Sequence, residues 1–199
     1  MLAIVGALSA AIPASPTRWV EDHAAAMSPD ARAALDARLE AYERATGHQV
    51  VVWIGRTIGG DDLAAWAVRT FAAWRLGRAG IDDGVAMFVL VDDRKIDLEV
   101  GYGLEARLPD AVAARIIREV MAPRMRAGQT DAAIRDGADA VVAAIEGHAW
   151  QGGTPRDALA AAPIELWIAG GLGVLLLLVL FISHPRLFLL ALWLGRGAL

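Results

Sequence analysis

Two short runs limit the folds open to this chain more than any other feature: Val50-Val51-Val52-Trp53-Ile54 and Val85-Ala86-Met87-Phe88-Val89-Leu90-Val91. Both are rich in β-branched and aromatic residues and neither contains a polar position. Strands that read this way are buried on both faces, so helices must cover both sides of the sheet that holds them. A third run, Lys95-Ile96-Asp97-Leu98-Glu99-Val100, alternates polar with apolar, which places it half exposed and near a sheet edge. Only Asp92-Asp93-Arg94 separates it from the second run, so the two are expected to form an antiparallel hairpin.

Helical periodicity accounts for the intervening sequence. Ser28-Pro29-Asp30 combines a cap, a first-turn proline and an acid at a helix start, after which Ala31, Leu35, Leu39 and Tyr42 share a face until Gly47. A second helix opens at Asp61 or Asp62 and carries Leu63, Trp66, Ala67, Thr70, Phe71 and Trp74 up to Gly77. A third runs from Pro109-Asp110 through Ala113, Ile116, Ile117 and Val120, and a fourth through Ile134, Ala138, Val141 and Ile145. The order α-β-α-β-β-α-α predicts an α/β fold, a three-layer α/β/α sandwich around a small mixed sheet.

The rest of the chain is organised by where its apolar residues lie. Hydrophobic residues make up 56% of 199, and the excess is concentrated at the two ends. Residues 1–14, MLAIVGALSAAIPA, have the outline of a signal peptide or apolar N-terminal segment. Residues 19–148 form the domain, and 149–163, with Gly-Gly and two prolines, a linker. Within 164–183, Leu166 to Ser183 are 18 residues without a charge, roughly 27 Å of helix, which predicts a C-terminal transmembrane helix. A short apolar segment, 184–199, follows. Arg186 and Arg196 beyond the span place the C-terminus in the cytoplasm and the domain outside it.

Composition removes several classes of function. With no cysteine there is no disulfide, thiolate nucleophile or Cys-ligated metal. A net charge of −4 argues against nucleic acid as a partner. No P-loop, complete dinucleotide fingerprint, G-x-S-x-G, H-E-x-x-H or EF-hand loop occurs, and Ser28, the one serine in the domain, is explained as a helix cap.

What remains is acidic. The hairpin brings Asp82 and Asp83, before its first strand, close to Gly101-Tyr102-Gly103-Leu104-Glu105 after its second, with Asp110 five residues further on. Carboxylates beside glycines that let backbone carbonyls approach are the oxygen-rich setting of a hard cation, calcium or magnesium. Taken singly, each residue also fits a turn or a helix first turn. Asp92 and Asp93, at the other end of the hairpin, read as a solvated turn.

The succession Val20-Glu21-Asp22, Thr46-Gly47-His48-Gln49-Val50, Trp74-Arg75-Leu76-Gly77 with Asp82-Asp83-Gly84, and Arg94-Lys95 leading to Val100-Gly101-Tyr102-Gly103-Leu104-Glu105 resembles the TPM domain family over the whole middle domain. The resemblance implies an α/β/α sandwich with an acidic cleft. Some relatives bind calcium there, some chloroplast members are credited with acid phosphatase activity and photosystem repair, and others act as accessory proteins. Carried over by position, the cleft involves Asp22, Asp83, Glu105 and Asp110, with Asp82 as a neighbour. The expected function is a membrane-anchored, extracytoplasmic domain that binds a divalent cation and assists another envelope protein. The alternatives are a metal-assisted phosphatase using the same carboxylates and a purely structural interaction module.

Overall fold

The computed structural model describes residues 10–148. It has four strands and five α-helices: β1 (Val20–Asp22), α1 (Pro29–Thr46), β2 (Gln49–Gly55), α2 (Leu63–Trp74), β3 (Gly84–Leu90), β4 (Lys95–Val100), α3 (Asp110–Arg115), α4 (Ala122–Arg126) and α5 (Thr130–Ile145). The strands form one mixed sheet in the order β1-β2-β3-β4, parallel from β1 to β3 and antiparallel between β3 and β4. The apolar runs are the two central strands, and the alternating run is the edge.

Strand parity sorts the core into two faces. Val50, Val52 and Ile54 of β2 and Val85, Met87 and Val89 of β3 meet Leu35 and Leu39 of α1 together with Ile116, Ile134 and Val141 from the C-terminal helices. Val51, Trp53, Ala86, Phe88 and Leu90 point the other way, onto Leu63, Trp66, Ala67 and Trp74 of α2. That second face is an aromatic layer, with ring centroids 5.4 Å apart for Trp53–Trp66 and 5.2 Å for Trp66–Phe88. Because β1, β2 and β3 step across the sheet in one direction while α1 and α2 lie on opposite faces, their two crossovers have opposite hands. One is therefore left-handed, against a preference of about 98% for the right-handed form.

Helix boundaries follow the local chemistry. The Ser28 side chain accepts from the Ala31 N–H, Pro29 occupies the first turn, and Gly47 ends α1 with φ +80° while its N–H bonds the Glu43 carbonyl. Asp62 caps α2.

Two expectations are corrected. The described residues hold a fourth strand, β1, of three residues only, with two acids; it is too short and too polar to show a strand pattern, and it exists because β2 offers it a parallel edge, Val20 opposite Val52. The third helix is not continuous: residues Ile116–Met121 form a π-helical turn between α3 and α4, and Pro123, which has no N–H to donate, follows it.

Residues 10–13, expected within the apolar N-terminal segment, cross the aromatic face. The indole N–H of Trp66 bonds the Ala11 carbonyl at 3.2 Å and that of Trp74 the Pro13 carbonyl at 3.0 Å. Among the described residues no helix is long and apolar enough to cross a membrane. The expected span, 164–183, and its linker lie outside them.

Candidate functional site

The sequence motifs meet at the end of the sheet where β3 starts and β4 finishes. After α2, Arg75 takes a left-handed conformation (φ +53°) and the chain doubles back through Gly77 (φ +88°), where a Cβ would lie 2.4 Å from the Gly84 nitrogen. Only glycine fits that approach. The return loop then reaches Asp83, whose side chain is 1% exposed.

Asp83 is fully occupied. Its Oδ1 accepts the Arg78 backbone N–H at 2.8 Å, its Oδ2 accepts the Arg78 Nε–H at 2.8 Å, and His48 Nδ1 lies 3.0 Å from Oδ2. Burial alone would raise its pKa; the Arg78 guanidinium and backbone N–H, with His48, outweigh burial and hold it down at about 2. The carboxylate braces the loop against β2, and Gln49 completes the joint by bonding Gly77 N–H through its side chain and the Asp83 carbonyl through its own N–H.

The expected meeting of Asp82 and Asp83 with Gly101–Glu105 is present, in the form of a backbone stitch. Gly101 N–H bonds the Gly84 carbonyl at 2.8 Å and Gly103 N–H bonds the Asp82 carbonyl at 3.1 Å. A Cβ on Gly101 would stand 2.1 Å from the Asp82 oxygen, and one on Gly103 2.1 Å from that of Ile81. The glycines do bring carbonyls close, and those of Gly84 and Asp82 receive the N–H groups of Gly101 and Gly103. A cleft of about 520 Å³ opens beside the stitch, lined by residues that include Phe71, Arg75, Arg78, Asp82 and Tyr102. Tyr102 is 80% exposed and Ile81 48%.

The other expected residues are less buried than Asp83. Asp82, Glu105 and Asp110 are exposed. Asp22 ends β1 opposite Ile54, so it sits at the carboxyl end of the parallel strands, roughly 20 Å from Asp83 at about 3.3 Å per residue. There its Oδ1 accepts from the N–H groups of Ala24 and Ala26 and its Oδ2 from Met27, which fixes the turn into α1. Among the described residues no three His, Asp or Glu side chains stand close enough to hold a metal ion.

A second acidic set lies on the edge strand. Asp97 and Glu99 share a face of β4, and the Glu99 carboxyl is pushed up to about 7 by burial, then by the charges of Asp97 and Asp110. Arg75, Arg78 and Tyr102 were missed as a group because no spacing rule joins a helix cap, a return loop and a post-strand turn. The Trp74–Gly77 and Gly101–Glu105 motifs that contain or flank them were the available signal.

Comparison with known proteins agrees with the fold. Of solved structures, the N-terminal domain of a protein from P. gingivalis is 28% identical, covering 67% of this chain and 85% of its own, with a TM-score of 0.60. BA42 from the psychrophilic bacterium Bizionia argentinensis (17% identity, 63% and 86% coverage, TM-score 0.53) and the N-terminal domain of cg2496 from Corynebacterium glutamicum (13%, 71% and 87%, 0.52) share the fold. A search of functionally curated proteins finds no match. The family profile described as TPM domain matches residues 20–144, and over that span this chain belongs to the TPM domain family.

Proposed function

We propose that the domain is an accessory binding module for another protein of the cell envelope, presented outside the cytoplasm and tethered to the membrane by segment 164–183. The observation that carries this reading is the rim of the 520 Å³ cleft, where Tyr102, 80% exposed, shares the lining with Arg75 and Asp82, and Ile81, 48% exposed, precedes Asp82 in the chain. A tyrosine left this open on a backbone stitched by Gly101 and Gly103 is rigid, amphipathic contact area, the kind that anchors protein interfaces. Asp83, held by Arg78, serves this surface as a brace.

A divalent cation at the same rim would have the carboxylates of Asp82 and Glu105 available, since both oxygens of Asp83 are engaged. Phosphatase chemistry would also have to begin from Asp82, the carboxylate in the cleft.

The test is a photoreactive amino acid at position 102 in the full chain, expressed in its own host, with Arg135, an exposed position on α5, as the control site. A discrete crosslinked partner from position 102, absent from 135 and lost when Ile81 is replaced by serine, is expected. Equal crosslinking from both positions would overturn the assignment. Calcium-dependent shifts of Asp82 and Glu105, or phosphomonoester turnover lost in Asp82→Asn, would replace it by the cation or phosphatase reading.

A further inference from the structure

The opposite end of the sheet carries charge of the other sign. Between the β3–β4 turn and the corner where α4 gives way to α5 lies a cleft of about 550 Å³, within the range of small-ligand sites. Its lining includes Arg94, Lys95, Ile96, Met125, Arg126 and Thr130. Ile96 and Met125 back onto the main core, so the floor is apolar, while three cations stand at the rim.

Among the described residues none of the three cations has an acidic partner. Of the nearby acids, Asp92 faces Arg56 at 3.8 Å, Asp93 accepts from the Thr57 hydroxyl and Ile58 N–H, Asp131 accepts from the N–H and hydroxyl of Ser28, and Asp97, two residues along β4 from Lys95, accepts from the Leu98 N–H through Oδ1. Three like charges around one apolar opening repel each other unless an anion joins them. The 16-residue helix α5 begins at Thr130 on the same lining; its N-cap, Gln129, makes no side-chain cap bond, and the acid of its first turn, Asp131, is held by Ser28. Met125 and Arg126 are delivered by α4 directly after the π-helical turn, a local widening that recurs at functional sites. Arg94 itself holds a left-handed backbone (φ +54°), uncommon for a residue with a side chain.

We propose that this cleft binds an anionic phospholipid: the acidic headgroup against Arg94, Lys95 and Arg126, and the apolar stem on Ile96 and Met125. The site is distinct from the Tyr102 rim, which lies at the other end of β3.

Methionine-methyl NMR of the full chain tests it, because Met125 lines the cleft while Met87 is buried in the sheet. Dihexanoyl phosphatidylglycerol is expected to shift the Met125 methyl and leave Met87 in place; dihexanoyl phosphatidylcholine, the same chains without net charge, is expected to shift neither methyl. Lys95→Gln with Arg126→Gln, at two exposed positions, should weaken the response by about tenfold or more. A matching shift in phosphatidylglycerol vesicles assigns the ligand to the bilayer, and a shift with dispersed lipid alone assigns it to a free amphiphile. Equal response to both headgroups, a response untouched by the double substitution, or none at all would each overturn the proposal.

Discussion

The two ends of this sheet handle charge in opposite ways. Where β3 begins, the conspicuous carboxylate is buried and saturated: Asp83 holds Arg78 and His48, and the glycines around it exist so that two backbone segments can touch. Where β3 ends, the acids are tied into turns and the cations are left over. An acidic motif can therefore mark a brace, and the open charges of a domain can sit where no motif points.

Substitution should separate the ends most strongly at Asp83. Asp83→Asn removes the charge that orients Arg78 and His48 inside the fold, and a loss of about 2–4 kcal/mol is expected in urea unfolding. Loss of less than half a kcal/mol would return Asp83 to the list of free ligands. The glycines give the next largest contrast. Gly101→Ala sets a methyl 2.1 Å from the Asp82 carbonyl and should cost about 2–3 kcal/mol, whereas Gly128→Ala, at the other end with open space but φ +73°, should cost about 1 kcal/mol, seen as a smaller fall in Tm.

The edge strand adds a pH signature. Since Glu99 is pushed up to about 7, its charged form is disfavoured in the fold relative to the unfolded chain. Stability is thus held back above pH 7 and recovers as pH falls through 7 toward the unfolded value near 4.5. Glu99→Gln should stabilise the protein by about 1–2 kcal/mol at pH 8 and have little effect at pH 4.5, as read by denaturant unfolding at the two pH values. Smallest of all, Glu105→Gln and Asp110→Asn, both at exposed positions, should stay within about 0.5 kcal/mol of the parent.

Much of the fold was legible because burial writes itself into pattern. The unbroken apolar runs became β2 and β3, the alternating run became the edge, and Ser28 and Gly47 ended α1 where cap chemistry requires. β1 was not legible, since three residues with two acids become a strand only through pairing with β2. The π-helical turn left no trace in the periodicity either, Ile116 and Val120 being buried as in a regular helix.

The candidate site was half legible. Hairpin register did carry Asp82 and Asp83 to Gly101–Glu105. Which carboxylate would be free depended on Arg78, which the return loop brings back to Asp83, and no count of acids anticipates that. Asp22 shows the same limit: its oxygens are taken by three N–H groups of the turn it starts.

The most direct test of Asp83 as a brace is the titration of its side-chain carboxyl by carbon NMR in the full chain, with and without millimolar calcium. A midpoint near 2, unchanged by calcium, is the expected result, and with it a contribution to stability that is complete above pH 3.8 and lost as pH falls toward 2. A midpoint at or above 3.8, or a carboxyl resonance that moves with calcium, would contradict the account.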